Sequence, residues 1–282
     1  MDANPVELNA GPANTLIDVA HGARLASLVV ARDELLVGHL DSNGIPRPRF
    51  EWGSYPMSPF AGRIRFGRFD FGGRRFEVER RMEPHAIHGM VDDVEWTIVE
   101  RANDSLRARV DVDHRWPFAC SVEQSFVLRP DRLRIEGTLT AREPMPAQIG
   151  WHPWFRRPAA IDLGFAQWLP RDHDGLPIAQ PTADPPSLDS TVDDCFLGTG
   201  EPIVVRVGTT RLELTSDCSH WVVYNGAPHG VCVEPQSGPP NAVETGPLVL
   251  EPGESLRRWF EIAWPGSEGP KTGRSDNKNS TP

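Results

Sequence analysis

The sequence predicts a mainly β protein, a large antiparallel β-sandwich, and three observations support that prediction. Proline occurs 28 times and glycine 25 times in 282 residues, so few windows remain in which a helix of three or four turns can propagate. Short segments with alternating apolar and polar residues recur along the chain. The loops between them are rich in Gly, Pro, Asp and Asn. Many short strands of this kind favour two packed antiparallel sheets over a parallel α/β fold.

The clearest strand pair lies at residues 121–140. Leu133, Ile135 and Leu139 alternate there with charged and polar residues, and the tripeptide Arg-Pro-Asp at 129–131 supplies the turn. This pattern predicts a hairpin with one buried and one solvated face. Other segments with the same pattern are RFEVER, VEWTIVE, SLRARVDV, EPIVVRVG, TRLELTS, GVCVEPQ and LRRWFEIAW.

The domain organisation is expected to be simple. Residues 1–265 are expected to form one β-sandwich domain, because neither an internal repeat nor a change of composition marks an earlier boundary. Residues 266–282 have no apolar side chain apart from their prolines, and we expect a disordered tail. The stretch 169–194 is rich in Pro and Asp and shows no strand pattern, so we expect it to be either mobile or draped over a site.

Charge and composition restrict the possible partners. The formal net charge is -10, from 39 acidic against 29 basic residues, which is the reverse of the balance usual in nucleic-acid-binding chains. No apolar run approaches the ~20 residues of a membrane span, and the opening residues lack a secretory signal pattern. We therefore expect a cytoplasmic protein without nucleic-acid or membrane partners, either a monomer or a homodimer.

Local motifs for metals and nucleotides are missing from the sequence. The four cysteines show no C-x-x-C spacing, and neither a phosphate-binding glycine loop nor a G-x-S-x-G elbow occurs. His85 and His88 are three positions apart, so on a regular strand they would point to opposite faces, and a shared site would need a loop around Pro84 and Gly89. We expect reduced, buried thiols, no metal and no cofactor.

The residues that can carry chemistry are concentrated in five polar and aromatic clusters. His152 lies among aromatic residues, a setting in which pKa values shift and sugars stack. Glu234 ends an apolar run, and a carboxylate there must be paired, hydrogen-bonded or functional, because burying it alone costs several kcal/mol. The clusters are SPFAGRIRFGRF (58–69), EPHAIHGM (83–90), IGWHPWFRR (149–157), TVDDCFLG (191–198) and VCVEPQSGPPNAV (231–243).

In this order the clusters resemble the aldose 1-epimerase (galactose mutarotase) family, from about residue 15 to residue 265. The first cluster is similar to the family segment with a substrate-binding arginine, which falls on Arg63. HAIHGM resembles the H-x-L-H-G signature, with its second histidine at His88, and GWHPWF is similar to N-H-x-Y-F, which implies that His152 is the catalytic histidine. VDDCF resembles D-x-x-F and places a sugar-binding aspartate at Asp193, with Asp194 as the neighbouring choice.

The last cluster and three departures complete the resemblance. VCVEPQSGPPNA is similar to C-x-E-x-Q-x-x-P-(D/N)-A, which implies that Glu234 is the catalytic glutamate. Trp151 stands where the family has asparagine, Trp154 where it has tyrosine, and Met90 where it has a second glycine. The H-P-W-F form also resembles a divergent bacterial branch. We expect Trp151 or Trp154 to offer a flat apolar wall to the C–H face of a sugar.

The resemblance implies a β-sandwich fold and interconversion of the α and β anomers of a free aldose by ring opening and closure. Glu234 would take the C1 hydroxyl proton, and His152, kept protonated by a nearby carboxylate, would donate to the ring oxygen from the opposite side of the sugar. His88 would be a second donor. Arg63 would hold hydroxyls, and Asp193 would accept from two of them.

Three alternatives stay open. A hexose-phosphate 1-epimerase would use an anion pocket of arginines. A non-catalytic sugar-binding protein would not need both His152 and Glu234. A glycoside hydrolase or lyase would usually need two carboxylates beside the bond, whereas the clusters offer one strong carboxylate and two histidines. The arginines available for an anion pocket are Arg65, Arg68, Arg156 and Arg157.

Overall fold

The structure is a computed structural model that describes residues 5–162, 164–178, 180–198 and 200–264. Within these ranges the chain forms 25 β-strands, a four-residue α-helix, α1 (Ala242–Thr245), and 3-10 turns at Val19–His21 and Arg65–Gly67. Among the described residues, no helix has the length and apolar character needed to cross a membrane. The expected disordered tail, 266–282, lies outside the described residues.

The strands are short and follow one another closely along the chain. In order they are β1 (Val6–Ala10), β2 (Ala13–Asp18), β3 (Arg24–Val30), β4 (Asp33–Glu34), β5 (Ser54–Met57), β6 (Arg63–Ile64), β7 (Arg68–Phe71), β8 (Arg74–Glu77), β9 (Ala86–Ile87), β10 (Thr97–Arg101), β11 (Ser105–Asp111), β12 (Cys120–Arg129), β13 (Arg132–Ala141), β14 (Met145–Ala147), β15 (Gly150–Arg156), β16 (Ala159–Asp162), β17 (Gln167–Leu169), β18 (Thr182–Ala183), β19 (Asp193–Leu197), β20 (Ile203–Val207), β21 (Thr210–Ser216), β22 (His220–Tyr224), β23 (Gly230–Gln236), β24 (Leu248–Leu250) and β25 (Ser255–Ala263).

Two large antiparallel sheets make up the fold. The eleven-stranded sheet has the order β1-β2-β3-β5-β15-β23-β22-β19-β17-β18, with β4 paired to β3. The eight-stranded sheet has the order β10-β11-β12-β13-β25-β21-β20-β16. Small two-stranded pairs, β14 with β24, β6 with β9 and β7 with β8, complete the strand pairing of the described residues.

The apolar faces of the two large sheets form the main core. Trp151 of β15 packs against Phe260 of β25, with ring centroids 6.3 Å apart, and its indole N–H donates to Gln124 of β12 at 2.7 Å. Each of these contacts joins the eleven-stranded sheet to the eight-stranded one. The expected antiparallel β-sandwich is therefore confirmed.

The hairpin expected at 121–140 is confirmed, and the expectation for 169–194 needs a correction. Strands β12 and β13 pair over ten residues on either side of a two-residue turn, and Leu133, Ile135 and Leu139 are buried. The stretch 169–194, by contrast, contains the short strand β18 and the start of β19. Its Pro and Asp residues hid these strands, which have only two and five residues.

A cluster of charged side chains around the buried Asp92 lies next to the eleven-stranded sheet. The Asp92 carboxylate is fully buried and accepts hydrogen bonds from Arg49 at 2.8 Å and from Arg81 at 2.6 Å. The guanidinium of Arg24, also buried, lies 4.0 Å away. Buried charges of this kind are stable only while they are paired.

We predict that Asp92→Ala lowers the free energy of unfolding by about 3–5 kcal/mol, because it takes the buried carboxylate away from the buried guanidinium groups of Arg24 and Arg81. The matched control is Glu100→Ala, which removes the partner of Arg107 in an exposed ion pair at 3.1 Å and is expected to cost less than about 1 kcal/mol. Urea unfolding of both variants measures the difference. Equal losses would contradict a structural role for the buried cluster.

Candidate active site

A cavity of about 600 Å³ lies on the face of the eleven-stranded sheet that points away from the main core. Strands β5, β15, β23, β22 and β19 are consecutive neighbours in that sheet. Successive side chains of a strand point to opposite faces, so alternate residues of each strand reach the cavity. Those that line it are His152 and Trp154 of β15, Glu234 and Gln236 of β23, Val222 and Tyr224 of β22, and Asp193 of β19.

His152 and Glu234 meet across two adjacent strands. The register pairs Gly150 with Gln236 and Trp154 with Cys232, which places His152 opposite Glu234 on the same face. The imidazole Nε2 lies 3.1 Å from the carboxyl Oε1, and both side chains are buried. The two groups therefore form a hydrogen-bonded pair at the cavity wall, without space for a sugar between them.

Burial determines the protonation of this pair. It lowers the pKa of His152 to about 3, and it raises the pKa of Glu234 well above its ordinary value, with the nearby charge of Asp193 adding to the rise. Both shifts favour the uncharged forms. The expectation that a carboxylate keeps His152 protonated is not met, because desolvation lowers the pKa of the imidazole and the charges of Arg24 and Arg63 lower it further. The pair is therefore a hydrogen bond between two uncharged groups, with one proton between Glu234 Oε1 and His152 Nε2.

Aromatic rings fix the orientation of His152. Tyr55 of β5 stacks on its ring with centroids 4.7 Å apart, and Trp154 stacks at 5.6 Å. His88 meets the same ring edge-on at 4.8 Å. Behind Tyr55, the buried Arg24 guanidinium lies 4.6 Å from the phenol ring centroid. The imidazole is therefore held on several sides by packed groups.

A strained turn brings His88 to the cavity and leaves His85 outside it. His88 and Gly89 both have positive φ, of 59° and 72°, and a Cβ at Gly89 would lie 2.1 Å from the carbonyl oxygen of Ser58. Burial lowers the pKa of His88 well below its ordinary value, so its ring is neutral at pH 7. His85 accepts a hydrogen bond from the Phe66 N–H at 3.0 Å, and it does not line the cavity.

Arg63 and Asp193 lie together in the cavity wall. Arg63 Nη2 is 3.6 Å from Asp193 Oδ2, and Arg171 Nη1 donates to the same oxygen at 2.8 Å. Arg171 Nε also pairs with Asp194 at 2.9 Å. Asp193 lines the cavity and Asp194 does not. The loop before β18 packs against this pair, since Arg63 donates to the Gly175 carbonyl at 3.4 Å.

The two tryptophans expected at the site take different positions. Trp154 lines the cavity, and its indole N–H donates to the Phe50 carbonyl at 2.6 Å. Trp151 is buried in the main core and does not reach the cavity, so it does not contact a ligand bound there. The reason is strand alternation: Trp151 is next to His152 and must face the other way, whereas Trp154 is two positions on.

Sequence reasoning missed several cavity residues. Gln236 lies two positions after Glu234 on β23, and its side-chain amide donates to Glu234 Oε2 at 3.3 Å. Its position two residues after Glu234, which puts both side chains on one face of a strand, was the sequence signal that could have identified it. Tyr224 of β22, Phe50 and His229 also line the cavity, but they lie outside the five clusters and no local pattern identified them.

One group in this region has the composition of a metal site. The ligand atoms of His152, Cys232 and Glu234 lie within 4.8 Å of one another, and all three residues are buried. Imidazole, thiol and carboxyl groups are the ligand types that zinc uses. The group consists of the proposed catalytic pair and one cysteine.

The chain belongs to the aldose 1-epimerase family, because the family profile matches residues 6–263. The uncharacterized protein YphB of Escherichia coli K12 is 33% identical over 106 residues, which is 36% of this chain and 36% of that protein. The aligned part thus spans little more than a third of that relative.

Solved structures with the same fold include two epimerase relatives. The galactose 1-epimerase of Lactobacillus acidophilus NCFM superposes with a TM-score of 0.77 at 16% identity, over 93% of this chain and 94% of that one. The GalM/aldose epimerase homologue of C. elegans superposes with a TM-score of 0.78 at 15% identity, over 93% and 98%. At these identities the likeness shows the shared fold, here that of the galactose mutarotase-like β-sandwich.

We predict that Gly89→Ala lowers the free energy of unfolding by more than about 2 kcal/mol, because alanine is strained at this φ and its Cβ would overlap the backbone of Ser58. Gly208→Ala is the matched control: its φ is 56°, but a Cβ there meets open space, so only about 1 kcal/mol of backbone strain is expected. Urea unfolding compares the two. Similar losses at both positions would show that the close packing at Gly89 is unimportant.

Proposed function

We propose that this protein is an aldose 1-epimerase that interconverts the α and β anomers of a free monosaccharide. The observation that carries the proposal is the pair formed by His152 Nε2 and Glu234 Oε1, 3.1 Å apart in the wall of the 600 Å³ cavity. Membership of the aldose 1-epimerase family supports it. Anomer exchange needs only proton transfer, which an acid and a base side chain can carry out.

The proposed reaction moves one proton from the C1 hydroxyl to the ring oxygen. These two oxygens are bonded to the same carbon. Two protein groups that lie side by side, as His152 and Glu234 do, suit them better than the groups on opposite sides that the sequence suggested. Each group would contribute about 10²- to 10⁴-fold as a general acid or base.

The steps can be written so that the pair ends as it began. The shared proton moves from Glu234 to His152 across their hydrogen bond. The carboxylate then takes the C1 hydroxyl proton while the imidazolium donates to the ring oxygen. The bond between C1 and the ring oxygen breaks, and C1 becomes an aldehyde. Rotation about the bond from C1 to C2 and the reverse transfers close the ring on the other face.

Other cavity residues are assigned to binding. His88 lines the cavity, where it would donate a hydrogen bond to a ring or C1 oxygen. Asp193 and Arg63 would hold hydroxyls at the side of the cavity next to β19. Trp154 would pack against the C–H face of the sugar.

The phosphosugar alternative has less support. The expected anion pocket of Arg65, Arg68, Arg156 and Arg157 does not line the cavity. Arg65 is bound to Asp172 and Asp174, and Arg157 donates to two backbone carbonyls. Arg63, which does line the cavity, lies 3.6 Å from the Asp193 carboxylate and is therefore already paired.

The binding-only and hydrolase alternatives are also less favoured. Burying Glu234 and His152 costs folding free energy, which a protein that only binds sugar would spend without benefit. Hydrogen bonding to sugar hydroxyls does not need both an acid and a base. For hydrolysis, the second carboxylate would be Asp193, but Arg171 and Arg63 already hold that side chain. One buried carboxyl group paired with an imidazole suits proton transfer better than it suits hydrolysis, which usually needs two carboxyl groups.

We predict that Glu234→Gln and His152→Asn each slow anomer equilibration by at least about 10²-fold, because each removes one proton-transfer group. Polarimetry of freshly dissolved α-glucose and α-galactose measures the rate against buffer alone. Sugar binding should be largely kept in both variants.

His85→Asn is the matched control, since His85 belongs to the same motif as His88 but lies outside the cavity. Its turnover should stay within about twofold of the wild type. Substantial residual activity in either variant of the pair would reject their roles, and a flat result with every free aldose tried would reject the proposed reaction.

We predict that free glucose or galactose is equilibrated with a kcat/KM at least about tenfold above that for glucose 6-phosphate, because Arg63, the arginine of the cavity lining, is already paired with Asp193. Exchange spectroscopy by proton NMR measures both sugars under one set of conditions. A preference for the phosphosugar would restore the anion-pocket alternative.

A further inference from the structure

Cys232 places a thiol beside the acid and base pair. Cys232 and Glu234 are two positions apart on β23, so both side chains project from the same face of the sheet. His152 projects from that face of the neighbouring strand β15. The ligand atoms of the three residues lie within 4.8 Å of one another. Two of the three side chains line the cavity, which gives an ion a path from solvent.

We propose that His152, Cys232 and Glu234 bind Zn²⁺, and that the bound ion switches the site off. Zinc prefers nitrogen, sulfur and oxygen ligands in a tetrahedral arrangement, and a site with three protein ligands keeps a fourth position for water or a sugar hydroxyl. A thiol and an imidazole select zinc over the harder ions Ca²⁺ and Mg²⁺, which require oxygen ligands.

The binding step balances without a redox reaction. The ion takes up the imidazole lone pair, a thiolate and a carboxylate, and the thiol proton and the proton shared by the pair go to solvent. Two negative ligands then neutralise the charge of the ion. The three ligand atoms lie within 4.8 Å of one another, and the side chains would move closer together to bind the ion.

Zinc binding and anomer exchange exclude each other. The metal would occupy the nitrogen and the oxygen that have to accept and donate protons in the proposed reaction. This inhibition rests on the proposed function, whereas the metal site itself does not. Cys232 has no part in the proposed proton transfers, so its replacement should leave zinc-free activity unchanged.

The experiment titrates the full chain with Zn²⁺ by isothermal calorimetry and with Co²⁺ by visible and near-ultraviolet absorption. Wild type is compared with Cys232→Ser and with Cys120→Ser, whose thiol is buried in the main core on β12 of the other sheet. Wild type and Cys120→Ser should bind one ion and show a sulfur-to-cobalt charge-transfer band. Cys232→Ser should lose the band and bind zinc at least about tenfold more weakly.

The same three proteins are then assayed for anomer equilibration with added zinc. Wild type and Cys120→Ser should be inhibited and recover on addition of a chelator, whereas Cys232→Ser should keep its activity at the same zinc concentration. Glu234→Gln is a second binding variant, for use if Cys232→Ser does not fold, and it should also bind zinc more weakly.

Two results would overturn the metal site: no calorimetric binding by wild type, or equal binding by wild type and Cys232→Ser. If the protein equilibrates no aldose, calorimetry and the cobalt spectrum still decide whether the ion binds. If it equilibrates aldoses and zinc has no effect at concentrations that saturate the site, zinc inhibition is refuted while the proposed function stands.

Discussion

The hydrogen bond between His152 and Glu234 depends on two strands that are distant in sequence and adjacent in the sheet. Because β15 and β23 are paired in register, the imidazole and the carboxyl group meet without water between them, 3.1 Å apart. Their burial favours the uncharged forms of both groups, and the proton that they share lies on the hydrogen bond between them. Tyr55 stacks on the imidazole, and the buried Arg24 that packs on Tyr55 is itself next to Asp92. The buried Arg24, which is paired with Asp92, thus helps to hold Tyr55 in place, and Tyr55 in turn holds the imidazole of His152.

The fold could be predicted because its signals are local. The spacing of proline and glycine excludes long helices, and the alternation of Leu133, Ile135 and Leu139 gives a strand pair directly. The five clusters also indicated His152 and Glu234, and the structure places these two side chains in one cavity.

The remaining features depend on register and burial, which local sequence patterns do not report. Trp151 was expected beside a sugar because the segment around it was not recognised as a strand, and on a strand it must face away from His152. The thiol of Cys232 could be placed beside the imidazole only once β15 and β23 were known to pair. The protonation of the pair was also misjudged, since the attraction of a nearby carboxylate was considered without the larger effect of desolvation. The buried Asp92 cluster gave no recognisable motif.

The most direct test of the central claim is a double-mutant cycle on anomer exchange, with rates measured by proton NMR for wild type, Glu234→Gln, His152→Asn and the double variant. If one shared proton passes through both groups, either single substitution already disables the relay, and the double variant should be no slower than the slower single variant. If the two groups act independently, the double variant should be slower by the product of the two single factors. That multiplicative result would contradict a single proton-sharing pair.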